Sequence, residues 1–103
     1  MNKLVFFLFA LCILSAKVYA HSPICDCYDN DDGSISCEGG FSDGGSAAGV
    51  EVHVVDQAGK VLLQGSMSEY SEFTFDKPDV DYWVQYLAGE GHTIEIDSRD
   101  IEF

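Results

Sequence analysis

Apolar residues in this chain alternate with polar ones over short stretches that end in clusters of turn-forming residues. Alternation with period two places the apolar side chains on one face of an extended strand, whereas a helix needs a period of about 3.6. The alternating stretches are SISC, GVEVHVV, KVLLQG, EFTF, DYWVQYL and HTIEI. The breaks between them are rich in residues that turns require. The pattern predicts an all-β fold, a small antiparallel β-sandwich of about six to seven strands.

The alternation also predicts which side chains face the core. In the stretch GVEVHVV the side chains of Val50, Val52 and Val54 point one way, so that Glu51 and His53 face outward. The same counting applies to the later stretches. The predicted inner residues are Val50, Val52, Val54, Phe73, Phe75, Tyr82, Val84, Tyr86, Ile94 and Ile96.

The N-terminal segment has the composition of a secretory signal. Lys3 is followed by an apolar run from Leu4 to Leu14, and Val18 and Ala20 stand where a signal peptidase reads. The run is well short of the roughly 20 residues that a transmembrane helix needs. We predict that residues 1–20 are a signal peptide cleaved after Ala20, so that the mature chain is not inserted in a membrane.

After this cleavage about 83 residues remain, which is enough for one small domain. Residues 21–49 would supply a cysteine-containing hairpin and a Gly/Ser-rich turn. Residues 50–103 would supply the remaining strands of the same β-sandwich. A chain of this size has a small core, so a disulfide or a metal is expected to reinforce it.

The composition is strongly acidic, with 18 Asp and Glu residues against 5 Lys and Arg and a formal net charge of −13. Loss of Lys3 and Lys17 with the signal would bring the net charge to −15. The permanent cations that remain are Lys60, Lys77 and Arg99. Such a surface repels nucleic acid and anionic lipid and attracts cations. We therefore predict neither nucleic acid nor a membrane surface as a partner.

Three cysteines follow the predicted cleavage point, and their spacing indicates one disulfide. The stretch CYDNDDGSISC is typical of a hairpin with its turn around Asp31 and Asp32, which brings Cys37 opposite Cys27 or Cys25. Cys27 and Cys37 are candidates for the bridge, in an exported and oxidising compartment. One thiol is left over as a candidate metal ligand.

Several short motifs cover most of the mature chain. They are Gly49-Val50-x-Val52-x-Val54, Asp56-x-x-Gly59-Lys60, Phe73-x-Phe75 and Tyr82-x-Val84. Together they resemble the transthyretin-like, carboxypeptidase-regulatory type of β-sandwich. Ser71 departs from that pattern, because those domains usually carry a glycine there. The resemblance implies a transthyretin-like (prealbumin-like) arrangement of the strands.

A narrower motif is Ala88-Gly89-Glu90-Gly91-His92, followed by alternating β residues. It is similar to a strand start in periplasmic domains associated with nickel and cobalt uptake transporters. The resemblance implies a periplasmic or secreted protein that handles metal outside the inner membrane. It also implies nickel or cobalt as the metal and an inner-membrane transporter as the partner.

The residues themselves also indicate a metal site. As the first mature residue, His21 would offer its α-amine and its ring Nδ1 as a chelating pair, with reference pKa values of about 8 and about 6.5. His92 or His53 would add an imidazole, and Cys25 or Cys27 a thiolate. These donors suit copper and zinc as well as nickel and cobalt.

Two motifs that suggest other functions do not meet the structural requirements of those functions. GFSDG matches the nucleophile elbow of hydrolases, which needs a strand-to-helix turn in a large α/β sheet, so Ser42 is predicted to be a turn residue. DNDDG resembles a calcium loop, but placing Gly33 at its glycine position puts Tyr28 and Gly39 where carboxylates are required. We predict that the protein is not an enzyme.

Two functions are therefore consistent with the sequence. The first is an exported transition-metal-binding protein that buffers or delivers its metal, as an accessory to a nickel or cobalt transporter. The alternative is a metal-free β-sandwich module that binds a protein partner through its strand edges or loops.

Overall fold

The computed structural model describes residues 22–89 and 91–102. The predicted signal, residues 1–20, and His21 lie outside the described residues. No helix in the described part of the chain could cross a membrane. The elements are β1 (Pro23–Asp29), β2 (Ser34–Phe41), β3 (Glu51–Asp56), β4 (Val61–Ser66), β5 (Glu72–Asp76), β6 (Tyr82–Leu87), β7 (Thr93–Asp97) and a 3-10 turn (Ser98–Asp100).

The strands form two antiparallel sheets. The three-stranded sheet has the order β1-β2-β5, and the four-stranded sheet has the order β4-β3-β6-β7. Three of the pairs, β1–β2, β3–β4 and β6–β7, join strands that follow each other in the chain. The pairs β2–β5 and β3–β6 join strands that are distant in sequence. The prediction of a small all-β sandwich with six to seven strands is confirmed.

The core lies between the sheets and includes the inner residues that the alternation predicts, together with Cys25, Ile35, Cys37, Ala47 and Met67. Val52, Val54, Val84 and Tyr86 are fully buried. Burying one such side chain contributes about 1.5–3 kcal/mol. The other predicted inner residues are buried or pack against this core: Val50, Phe73, Phe75, Tyr82, Ile94 and Ile96.

Tyr86 joins the two sheets at one end of the sandwich. Its hydroxyl donates a hydrogen bond to the Gly40 carbonyl of β2 at 3.0 Å. A Cβ on Gly39 would lie 2.8 Å from ring atom Cε1 of Tyr86 and 3.1 Å from side-chain atoms of Ala47 and Met67. Glycine is therefore required at position 39 by the close approach of β6 to β2.

A second close approach joins β4 to β5 on one side of the sandwich. A Cβ on Gly65 of β4 would lie 2.5 Å from ring atom Cε1 of Phe73 in β5. Because Gly65 has no side chain, the Phe73 ring can occupy this space. This contact aligns β4 with β5 across the two sheets.

The register of the β1–β2 hairpin determines which cysteines form the disulfide. Cys27 lies directly opposite Cys37, and these two residues are bonded. Cys25 lies opposite Gly39 and is a free, buried cysteine. Cys25 and Cys27 are two residues apart and both pack against the core between the sheets.

The acidic turn of this hairpin is held by its own carboxylates. Asp29 Oδ1 accepts a hydrogen bond from the Asp31 amide at 2.8 Å, and Asp32 Oδ1 accepts one from the Ser34 amide at 2.9 Å. Asp31 has a φ of 58°, in the left-handed region that aspartate tolerates better than most residues. The prediction that DNDDG is a hairpin turn is confirmed.

Ser71 also has a left-handed backbone, with a φ of 61°. Glycine favours this conformation. In this chain the Ser71 hydroxyl accepts a hydrogen bond from the Ala47 amide at 2.9 Å. The side chain therefore ties the loop before β3 to the start of β5.

The C-terminal residues close the opposite side of the sandwich, where β1 and β7 lie. The Asp29 amide at the end of β1 donates a hydrogen bond to the Glu102 carbonyl at 2.9 Å. The Asp29 carboxylate pairs with Lys77 Nζ at 2.8 Å. This hydrogen bond from Lys77, together with that from the Asp31 amide, lowers the pKa of Asp29.

We predict that Gly65→Ala lowers the free energy of unfolding by about 1–3 kcal/mol, because the added methyl group overlaps the Phe73 ring. Urea denaturation measures the loss. Gly40→Ala is the matched control in β2, because its Cβ would meet no atom closer than 3.8 Å. Equal losses in the two variants would contradict the proposed contact.

We also predict that reducing the Cys27–Cys37 disulfide lowers the free energy of unfolding by about 2–3 kcal/mol. The bridge joins residues 10 apart and restricts the unfolded chain. Denaturation with and without a thiol reductant measures the effect. The Cys27→Ala/Cys37→Ala variant should not respond to the reductant. An unchanged midpoint in the wild-type protein would argue against a stabilising bridge.

Candidate functional site

A pocket of about 400 Å³ opens at the end of the sandwich where Tyr86 joins the sheets. We call it the His92 pocket. Its walls come from the end of β2, the loop after it and the β6–β7 turn. The lining residues are Phe41, Asp43, Gly45, Ala88 and His92.

The β6–β7 turn places His92 at this pocket. Gly89 and Gly91 have φ values of 126° and 72°, which only glycine adopts without strain. The His92 amide donates to the Gly89 carbonyl at 2.9 Å, and the Ala88 amide donates to the His92 carbonyl at 3.2 Å. The backbone of His92 is therefore fixed in a tight turn, while its side chain is exposed.

The start of the described chain is anchored at the same end. The Ser22 amide donates to Ser42 Oγ at 3.0 Å, and the Ser42 amide donates to the Ser22 carbonyl at 2.8 Å. Ser42 lies in a turn, as predicted, and Asp43 follows it in the pocket wall. The residue that directly precedes Ser22 is His21. Ser22 is thus held against the turn whose next residue, Asp43, lines the pocket.

Asp43 is a pocket residue that the sequence-based reasoning missed. Its Oδ1 accepts a hydrogen bond from the Gly45 amide at 2.9 Å, which shapes the turn after β2. The only local signal was the turn sequence SDGG. Its position beside His92 depends on the packing of the two sheets and could not be inferred from that signal.

His53 lies elsewhere. It faces outward from β3 in the four-stranded sheet, as the alternation predicts, between Gln64 of β4 and Gln85 of β6. Its Nε2 is 3.5 Å from Glu51 Oε1 and is a buried atom without a hydrogen bond among the described residues. The structure therefore does not place His53 in the His92 pocket.

The two cysteines predicted as ligands, Cys25 and Cys27, are not accessible to a metal in this structure, for different reasons. The Cys27 sulfur is in the disulfide, so it offers no thiolate while that bond is intact. Cys25 is 7% exposed, and burial, followed by the nearby Asp26 charge, raises the pKa of its thiol to about 11. Because the Cys25 side chain is buried in the core, the structure does not bring it to the His92 pocket.

Within residues 22–89 and 91–102, no group of three or more His, Cys, Asp and Glu side chains is arranged to hold a metal. The His92 pocket brings together two potential donors, His92 and Asp43.

A second pocket, of about 340 Å³, lies near the Asp29 end of β1. Lys77 and Arg99 both line it. Each pairs with a carboxylate, Lys77 with Asp29 and Arg99 with Asp97, the latter at 2.6 Å. The hydrogen bond from Arg99 lowers the pKa of Asp97. Both cations are therefore neutralised by carboxylates of the protein itself. This favours a structural role for Lys77 and Arg99 over the binding of an anionic ligand.

No protein family model, curated protein or solved structure matches this chain. The resemblances to transthyretin-like domains and to nickel and cobalt transport domains therefore stay predictions.

We predict that Cys25 reacts with iodoacetamide at least roughly tenfold more slowly in the folded protein than in urea, because burial and the raised pKa suppress the thiolate. The measurement is mass spectrometry of protein that begins at His21. Cys25→Ala should remain unlabelled in urea if the disulfide is intact. Rapid labelling of the folded protein would show that Cys25 is accessible and would return it to the set of candidate ligands.

Proposed function

We propose that this protein is exported and binds a transition-metal ion at the His92 pocket, so as to buffer or deliver the metal. The observation that carries the proposal is the pair of hydrogen bonds between Ser22 and Ser42. They hold the start of the described chain next to the turn that contains Asp43. Asp43 and His92 both line the pocket. The predicted mature N-terminus, His21, is the next residue toward the N-terminus.

In this proposal His21 supplies its α-amine and ring nitrogen, His92 an imidazole and Asp43 a carboxylate. Nitrogen and oxygen donors of this kind suit nickel, cobalt, copper and zinc. The proposal omits the thiolates, because Cys27 is bonded and Cys25 is buried. It also omits His53, which faces outward from the four-stranded sheet.

Charge and compartment support the same proposal. The net charge of −13 attracts cations to the protein surface. The Cys27–Cys37 disulfide is compatible with an oxidising compartment outside the cytoplasm. The periplasm, the preference for nickel or cobalt and a role beside an inner-membrane transporter rest on the resemblance carried by the segment ending at His92.

The test is calorimetric titration of protein that begins at His21 with nickel, cobalt, copper and zinc in turn. We predict that His92→Ala weakens binding by roughly tenfold or more, because one imidazole ligand is lost. An extra glycine before His21 should weaken binding as strongly, since it separates the α-amine from the histidine ring. His53→Ala is the matched control, because it removes an imidazole away from the pocket.

Equal weakening by His92→Ala and His53→Ala would indicate binding to the acidic surface and would contradict the proposed site. A titration with calcium measures binding to the acidic surface alone. If none of the four transition metals binds more tightly than calcium, the proposed site is also contradicted. The variant Asp43→Asn then measures how much the Asp43 carboxylate contributes to metal binding, apart from the His92 imidazole. It should weaken binding less than His92→Ala if the carboxylate is an additional ligand.

A further inference from the structure

The sandwich has four edge strands, β1 and β5 in one sheet and β4 and β7 in the other. Acidic residues lie within β1, β5 and β7, and charges on an edge discourage pairing with another chain. β4 has the sequence VLLQGS, with no charge and no proline. Among the strands of the described residues, β4 is therefore the edge without this protection.

The hydrogen bonds next to β4 show which of its backbone groups face outward. The Met67 amide donates to the Val50 carbonyl, so this pair is hydrogen-bonded. Bonded and non-bonded pairs alternate along an antiparallel ladder. Gly65 therefore bonds to β3, whereas the N–H and C=O groups of Gln64 and Ser66 point away from the sheet.

The open part of this edge is short and exposed. The pairing of β3 with β4 is irregular at Val54/Val55, so that Leu62 is an extra residue in β4. Bulges of this kind disrupt regular pairing, which leaves Leu63–Ser66 as the regular segment. Leu62 is 37% exposed, which leaves apolar surface beside the open backbone groups.

The charges near this edge are mainly negative at the Ser66 end. Glu51 of β3 lies opposite Ser66 with its side chain 58% exposed. Glu69 and Glu72 follow β4 in the chain and are also exposed. Lys60 precedes the other end. A second copy of this chain would bring the same acidic groups, so like charges oppose self-pairing and favour a basic partner.

We propose that β4 binds an extended, basic segment of another protein, which adds to the four-stranded sheet as a fifth strand. Main-chain hydrogen bonds to Gln64 and Ser66 would supply affinity, and the acidic groups near Ser66 would select positive charge. In antiparallel addition the N-terminal end of the segment lies beside Ser66. This interaction surface is separate from the His92 pocket and does not require a metal.

The probe is a short synthetic peptide of alternating valine and threonine with lysines at its N-terminal end, and fluorescence anisotropy measures its binding. Gln64→Pro should weaken binding by roughly tenfold or more, because it removes an outward N–H and places a ring at the edge. Gln64→Thr keeps the N–H and should bind as the wild-type protein does. A peptide with glutamates in place of the lysines should bind at least roughly tenfold more weakly.

A second probe tests the same contact on the unchanged protein. The lysine peptide with alternate backbone amides N-methylated cannot donate to β4 and should lose binding, whether or not Gln64→Pro folds well. Binding that survives both Gln64→Pro and N-methylation would overturn the proposal. So would a lysine peptide that does not bind. A wild-type dimer that Gln64→Pro converts to a monomer would identify a second copy as the occupant and would also overturn it.

Discussion

The close approach of Tyr86 to Gly39 and Gly40 is the contact on which the candidate site depends. It brings β6 of one sheet against β2 of the other, and the ring fills space that any side chain at position 39 would occupy. The hydrogen bond from the Tyr86 hydroxyl to the Gly40 carbonyl fixes the approach. The end of β2 and the turn after β6 are thereby held at one end of the sandwich. The wall of the His92 pocket is made from these two segments.

This packing gives the three described cysteines and His92 different environments. The disulfide and the free thiol face the core, where they add buried apolar volume and a covalent constraint on a small domain. His92 is exposed at the pocket, where its ring can meet a ligand. Residues that look equivalent as metal ligands in the sequence therefore differ in access, because Cys27 is bonded and Cys25 is buried, whereas His92 is exposed.

Acidity has two physical consequences for the surface. It protects most sheet edges, since β1, β5 and β7 carry aspartate or glutamate within the strand. It also gives the surface around β4 a negative potential although β4 itself is uncharged. A cation at the His92 pocket and a basic segment at β4 would both be attracted by this charge. The two surfaces are distinct, so each can be altered without changing the other.

The local features of this protein follow from its sequence. Period-two alternation identified six of the seven strands and ten of the inner residues, and the turn chemistry of Asp31 and Asp32 set the first hairpin, because both depend on neighbours in the chain. Three further features depend on how the strands pair and pack: the strand order, the choice of Cys27 over Cys25 for the bridge, and the separation of His53 from His92. The same packing makes Asp43 and His92 line one pocket and holds Ser22 against the neighbouring Ser42. These outcomes depend on how residues far apart in sequence pair and pack, and local alternation carries no information about which strands become neighbours.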